Sequence, residues 1–233
     1  MEKEKILSLL GALRRFILRG LITCLVVSLP FFFFSRRLLA LLVERMGVKV
    51  YYLSISEAFF SCLELSFFLG LFFSVPVLVP LSLRELRSFV RLSRGDRLVF
   101  FFLSLLLFYA GSAFCFFVAL PSGIRFLLSY GNPGVKAMIS VQSFVAFFVG
   151  MILAFSFAFE VPVLFVFLGR LGLIRSSLIA RSRRYAILLI AVFAAIITPT
   201  PDIYNMGLLA VPMYVLFEIG ILLLRIEERR KMK

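Results

Sequence analysis

The chain has 233 residues, 62% of them hydrophobic, and a mean hydropathy of +1.08. A soluble domain of this composition would expose far too much apolar surface, so we interpret the chain as an integral membrane protein without a separate soluble domain. The sequence has no histidine, and its three cysteines lie singly in apolar runs without metal-ligand spacing. We therefore expect no catalytic residues, no metal and no cofactor.

The N-terminal part of the chain predicts a surface segment followed by a first span. Residues 1–19 are basic and their apolar side chains share one helical face, so we expect them to lie along the cytoplasmic membrane surface. The first span covers residues 20–34, and Pro30 is expected to kink or end it. Residues 35–56 form a polar link whose apolar pieces predict a short helix on the far side of the membrane.

Two further spans follow; prolines lie inside the first of them and directly after the second. Span two is predicted over residues 57–81, broken by Pro76 and Pro80. Span three is predicted over residues 98–120 and ends at the turn signal Pro121-Ser122-Gly123.

The fourth span carries a carboxylate inside an apolar run. Residues 141–168 are long enough to cross a bilayer, with Gln142 near the start and Glu160 in the middle. A central acidic residue costs roughly 2.5–3.5 kcal/mol on insertion scales. Glu160 is therefore expected to face a polar cavity, a partner side chain or a bound peptide; the alternative is a protonated glutamate bonded to a neighbouring helix.

The last two spans are short. Span five, residues 185–197, has too few residues to cross the hydrocarbon fully unless the bilayer thins around it. A tight turn, Thr198-Pro199-Thr200-Pro201-Asp202, leads to span six over residues 206–224, which carries Pro212 and Glu218.

Charge placement predicts the topology. Six of the 26 basic residues lie on one side of the predicted spans, and the other twenty are shared equally by four segments: residues 1–19, 83–97, 170–184 and 225–233. By the positive-inside rule the chain has six spans, with both termini and the basic tail in the cytoplasm. We expect one membrane domain over residues 1–233, in the cytoplasmic (inner) membrane. The net charge of +14 is attributed to topology and anionic lipid, and no nucleic-acid partner is expected.

The order of several short elements resembles a known family. These elements are Ser56-Glu57-Ala58-Phe59, Pro76, the segment FSFAFEVP at residues 155–162, Arg184-Tyr185, Thr200-Pro201-Asp202 and the segment LAVPMYVLFE at residues 209–218. Together they resemble TatC, the polytopic subunit of the twin-arginine protein translocase. The resemblance implies an all-α, concave six-span bundle with short fifth and sixth spans.

The resemblance also implies a function and partners. Members of the family bind the twin-arginine signal peptides of folded cargo at the cytoplasmic face. They assemble, as oligomers within a complex, with single-span TatA and TatB partners, and transport is driven by the proton-motive force. The family's glutamate for partner docking corresponds to Glu160, its Pro-Asp turn to Pro201 and Asp202, and its last-span glutamate to Glu218.

The signal-peptide site is where the sequence departs from the family. The family's acid before its Leu-Arg-x-Arg start corresponds to Ala12, followed here by Leu13-Arg14-Arg15-Phe16. The family's loop acid corresponds best to Asp96, with Glu85 as a possible substitute. Because a pair of arginines is best held by carboxylates through bidentate, charge-assisted bonds, we assign peptide binding to Asp96, Glu85, Arg14 and Arg15.

Two other functions stay open at this point. A small proton-coupled transporter would use Glu160, Glu64 and Glu218 as a relay, since intramembrane acids are its expected signature. A scaffold for single-span partners would share the fold without a signal-peptide site. An enzyme is disfavoured because the sequence has no nucleophile–base, phosphate-loop or metal constellation.

Overall fold

A computed structural model describes residues 2–85, 93–129, 138–197 and 203–231, and this part of the chain is almost wholly helical. The elements are α1 (Glu2–Met46), β1 (Val50–Tyr51), α2 (Glu57–Glu85), α3 (Arg94–Phe114), a π-helix (Cys115–Ala119), α4 (Leu120–Ser129), β2 (Ile139–Ser140), α5 (Val141–Phe159), α6 (Val161–Arg170), α7 (Ser176–Arg181), α8 (Arg183–Ile197) and α9 (Ile203–Lys231). Five stretches of these residues are long and apolar enough to cross a membrane: Leu13–Met46, Glu57–Glu85, Arg94–Arg125, Val141–Phe159 and Leu209–Arg229. The predicted all-α membrane class is confirmed.

The first helix is longer than predicted. It includes the basic start of the chain and continues through Pro30 to Met46, so Pro30 does not end it, and the separate short helix predicted after residue 34 is wrong. A proline removes one backbone hydrogen bond. In lipid, however, the neighbouring peptide groups cannot hydrogen-bond to water instead, so the helical hydrogen bonds on both sides of the proline are kept and the helix continues. The helix ends at Gly47, whose φ of 66° allows Val48 N to donate to Val43 O in a Schellman turn.

Helix α2 also continues through its prolines. Pro76 and Pro80 lie inside it, so the predicted breaks are wrong, and its end at Glu85 lies four residues beyond the predicted residue 81. The same physical reason applies, because an uninterrupted helix leaves the fewest peptide groups unpaired in hydrocarbon.

The predicted turn at Pro121-Ser122-Gly123 is helical. Helix α3 passes into the π-helix, where Leu120 N donates to Cys115 O, and α4 then carries the chain on to Ser129. Pro121 is the second residue of α4 and lies directly after the π-helix, inside a continuous helical stretch that begins at Arg94. The π-helix makes the turn before the proline wider than an α-helical turn.

The described chain forms two compact units. Unit 1 contains residues 1–105 and 138–149, and unit 2 contains residues 106–137 and 150–233. In unit 1, β1 and β2 pair in parallel, with Val50 opposite Ile139. The sequence did not predict this pair, since a two-residue strand leaves no periodic pattern.

Helices α1 and α2 pack antiparallel in unit 1, and Gly70 marks their close approach. A Cβ atom at this position would lie 2.5 Å from Ser28 Cβ and 2.8 Å from Cys24 O. One turn away, Cys24 Sγ and Ser74 Oγ are 3.2 Å apart. Small side chains at the contact allow the two backbones to come together, the usual basis of helix association in lipid.

Helix α9 organises unit 2. It packs against α6 at Gly220, where an added Cβ would lie 2.8 Å from Phe165 Cδ2 and 3.2 Å from Pro162 Cα. Its end is helical to Lys231, beyond the predicted residue 224, and carries two acids that bind the preceding basic link. Glu227 Oε1 lies 2.8 Å from Arg170 Nε, and Ser176 N donates to Glu228 Oε1 over 2.8 Å at the start of α7.

Helix α8, Arg183–Ile197, agrees closely with the predicted fifth span. Its 15 residues give a length of about 22 Å, against a hydrocarbon thickness of about 30 Å. The prediction of a short fifth helix is therefore confirmed.

The close approach at Gly70 gives a first prediction. Gly70→Ala should force α1 and α2 apart and destabilise the protein by about 1–3 kcal/mol, the usual range for overpacking. Gly150→Ala is the matched control, because a Cβ there would meet no atom within 4 Å. Thermal unfolding of the two variants in detergent measures the difference. Equal midpoints would contradict the assigned contact.

Candidate functional site

The first candidate site is a cluster of three charged side chains in unit 1, which we name the Glu85 cluster. Arg15 Nε donates to Glu85 Oε2 over 3.1 Å, and Arg19 Nη1 donates to Glu85 Oε1. The Glu85 side chain is 8% exposed, whereas those of Arg15 and Arg19 are 57% and 51% exposed. A nearly buried carboxylate therefore binds two guanidinium groups, one on each oxygen.

Helix geometry explains why these arginines act together. Arg15 and Arg19 are four residues apart on α1 and so lie on one helical face. Glu85 is the last residue of α2, which the antiparallel packing brings to the same end of the helix pair. Arg14 lies on another face and is exposed, without an ion pair to any residue in the described ranges. The sequence analysis missed Arg19, although its spacing from Arg15 was a usable signal.

Asp96 has a different set of contacts, at the start of α3. Its Oδ2 accepts hydrogen bonds from Ser93 N over 3.2 Å and from Ser93 Oγ over 2.8 Å, while Asp96 N donates to Ser93 Oγ over 3.1 Å. This reciprocal arrangement is a capping box, which satisfies amide groups that a helix start leaves unpaired. The contacts give Asp96 a structural role whether or not it also binds a peptide.

The second candidate site surrounds Glu160 in unit 2. Glu160 is not in the middle of one helix, as predicted, but at the joint between α5 and α6. Pro162, which is buried, has no amide hydrogen for the carbonyl of Ala158, and this explains the break. The Glu160 side chain is partly buried, and Phe157 and Leu164 nearby are 57% and 50% exposed.

Glu218, on α9, is paired with groups from its own unit. Arg183 Nη2 donates to Glu218 Oε2 over 2.8 Å, and Tyr214 Oη donates to Glu218 Oε1 over 2.9 Å. Glu218 was predicted as a site residue, but its partners were not. Arg183 lies 35 residues away in the sequence, and Tyr214 lies one helical turn away. Both carboxylate oxygens are therefore bound by side chains of unit 2, which disfavours the proton relay considered above.

The remaining predicted residues are scattered or outside the described residues. Gln142 is exposed at the start of α5, and Pro76 is partly buried inside α2, where it forms no turn. Glu64 is partly buried in the same helix. Pro201 and Asp202 lie outside the described ranges.

The fold and these sites define a polytopic helical membrane protein with charged clusters where helices end and a carboxylate at a helix joint. The family model described as Sec-independent protein translocase protein (TatC) matches residues 8–212. The TatC protein of Desulforapulum autotrophicum is 32% identical over 244 residues, which cover 99% of this chain and 87% of that protein. The chain therefore belongs to the TatC family.

Solved structures agree with this assignment. A crystal structure of the twin-arginine translocase receptor TatC matches with a TM-score of 0.80 and 28% identity, covering 94% of this chain and 99% of that one. A second crystal structure, of the same receptor in DDM, gives a TM-score of 0.82 and 28% identity, and the match covers 92% of this chain and 98% of that one. The predicted resemblance is confirmed, and the function is Sec-independent protein translocation rather than transport of small solutes.

The Glu85 cluster gives a second prediction, tested by a double-mutant cycle. Arg19→Gln and Glu85→Gln should be non-additive, with a coupling free energy of about 0.5–1 kcal/mol, since the arginines are half exposed and the pair is screened. Arg14→Gln combined with Glu85→Gln should be additive. Thermal unfolding in detergent at low salt measures both cycles, and equal coupling in both would show that only the general electrostatic field is involved.

Proposed function

We propose that this protein is the signal-peptide receptor of a twin-arginine translocase and that the Glu85 cluster and Asp96 form its peptide-binding face. The observation that carries the proposal is the pairing of one nearly buried carboxylate with two guanidinium groups. This arrangement of one carboxylate and two guanidinium groups is the kind that would recognise the arginine pair of a signal peptide. An incoming twin-arginine peptide exchanges with Arg15 and Arg19 at Glu85, and Asp96 supplies a second acid.

The proposal places this face in the cytoplasm. Twenty of the 26 basic residues lie in the four segments that the positive-inside rule assigns to that side, including the starts of α1 and α3. Both termini then face the cytoplasm. The five long candidates and the shorter α8 give six spans. Residues 1–233 form one domain of the inner membrane. The proton-motive force drives transport.

Partner docking is assigned to Glu160. A partly buried carboxylate at a helix joint, next to a carbonyl that has lost its helical donor, offers hydrogen-bond acceptors at membrane depth. A single-span partner of the TatA or TatB type with a polar group in its span would donate a hydrogen bond to this carboxylate. Exposed Phe157 and Leu164 supply apolar surface beside the acid, and the receptor works as an oligomer within such a complex.

The peptide site is tested by comparing acid variants with their structural controls. Glu85→Gln and Asp96→Asn should each weaken binding of a twin-arginine peptide roughly 10- to 100-fold, because hydrogen bonds to charged groups contribute about 1.5–3 kcal/mol. Binding is measured by photocrosslinking in native membranes, with a twin-lysine peptide as the specificity control.

Two control variants separate binding from structure. Ser93→Ala removes the capping box but keeps the Asp96 carboxylate, so peptide binding should persist. The double variant Arg15→Gln, Arg19→Gln frees Glu85 of its internal competitors, so binding should become tighter. If these controls lose binding as strongly as the acid variants, the two clusters are structural only and the proposed peptide site is wrong.

The docking assignment is tested at Glu160. Glu160→Ala should reduce crosslinking to the single-span partner roughly tenfold or more, the effect of losing a charge-assisted bond of about 1.5–3 kcal/mol. Membrane insertion should be unchanged or improved, since an acid is removed from hydrocarbon. Glu64→Ala, which removes another partly buried acid, from α2 in unit 1, is the control and should leave crosslinking unchanged. Equal crosslinking by the Glu160→Ala protein and the unsubstituted protein would remove the assigned role.

A further inference from the structure

A cavity lies in unit 1, at the opposite end of the α1–α2 pair from the Glu85 cluster. It is an open groove of about 830 Å³ between the second half of α1, the segment after β1 and the first turns of α2. Most of its lining is apolar, including Phe32, Leu39, Tyr52 and Phe59, and one charged side chain, Arg36, contributes to the wall. We name this cavity the α1–α2 groove.

The depth of the groove follows from helix geometry. Arg36 is 17–21 residues beyond Arg19 and Arg15, which is about 25–32 Å along α1. The hydrocarbon core of a bilayer is about 30 Å thick. If the Glu85 cluster lies at one interface, Arg36 therefore lies at the other, and Phe32 is one turn deeper, at the level of the acyl chains. This argument holds for either orientation of the chain in the membrane.

The charge of Arg36 is not neutralised by any acid in the described part of the chain. Arg36 is exposed and forms no ion pair with any residue in the described ranges. Glu57, at the start of α2, is 7% exposed and already accepts a hydrogen bond of 2.6 Å from Leu53 N. A guanidinium at the interface beside an apolar groove is thus complementary to an anion that carries a hydrocarbon chain.

We propose that the α1–α2 groove binds an anionic phospholipid, with its phosphate on Arg36 and an acyl chain along Phe32 and Phe59. The guanidinium fork matches the phosphate oxygens, so the contact is directional as well as electrostatic. The chain lies against aromatic and aliphatic walls instead of bulk lipid. Nothing in this site depends on the proposed peptide binding, because its residues are separate from the Glu85 cluster, Asp96 and Glu160.

The absence of tryptophan from the sequence makes a direct test possible. Phe59→Trp places a sole tryptophan in the wall of the groove, and Phe67→Trp places one on an exposed position of α2 outside it. The full chain is reconstituted in phosphatidylcholine vesicles, and phosphatidylglycerol with brominated acyl chains is added as quencher. The matched series uses brominated phosphatidylcholine, and far-ultraviolet circular dichroism checks that each variant is helical.

We expect the groove tryptophan to reach half-quenching at about a fivefold lower fraction of phosphatidylglycerol than of phosphatidylcholine, the ratio given by about 1 kcal/mol for one arginine at an anionic surface. Phe67→Trp should show no preference. Adding Arg36→Gln should abolish the preference, whereas Arg37→Gln, the exposed neighbour that does not line the groove, should keep it.

Three outcomes would overturn the proposal. Equal quenching by both lipids at the groove tryptophan would mean that only ordinary boundary lipid fills the cavity. Loss of preference with Arg37→Gln as well would show a diffuse surface potential instead of a site. Relief of quenching by inorganic phosphate in the aqueous phase would identify a phosphate site without a lipid requirement.

Discussion

The close contact between α1 and α2 at Gly70 is the constraint on which the described part of unit 1 depends. Lipid gives two helices no hydrophobic reason to associate, so the pair is held by close backbone packing, which a side chain at this position would prevent. With the contact fixed there, Glu85 lies about 22 Å away along α2 in one direction. Cys62, in the wall of the α1–α2 groove, lies about 12 Å away in the other. One packing contact thus positions two sites at opposite ends of the helix pair.

Charge compensation is the second organising feature. The chain has more than twice as many basic as acidic residues, and the acids for which a contact has been described are bound to arginines or helix starts. Glu85 and Glu218 pair with arginines from a neighbouring helix, and Glu228 binds the amide and hydroxyl of Ser176. Since a carboxylate near hydrocarbon is costly without such partners, each pair also specifies which helix ends meet. Arg36 is an exposed arginine without an ion pair among the described residues, in agreement with the lipid contact that we propose for it.

The sequence predicted the class, most of the spans and the short fifth helix, because each is encoded by local composition and length. It ended the first helix before Met46 and placed breaks at Pro76 and Pro80, because a rule derived from water-exposed helices overstated how strongly proline ends a helix in lipid. The candidate site was predicted only in part: the acids were found, but the partners of Glu85 and Glu218 were not. Their arginine partners come from distant segments, and no local pattern records such a pairing.

If the chain is a peptide receptor, Glu85 supplies a carboxylate near the start of α1, where Ala12 stands at the position of the family's acid. Placing the acid at the end of α2 leaves a carboxylate that is only 8% exposed, and such a group requires compensating cations before any cargo arrives. Arg15 and Arg19 provide them. Exchange for a peptide's arginine pair then breaks two internal charge-assisted bonds, so the affinity that Glu85 supplies is smaller than it would be without Arg15 and Arg19. The peptide's apolar segment supplies further affinity, while Glu85 also supplies selectivity, because lysine cannot reproduce the geometry of the guanidinium groups it displaces.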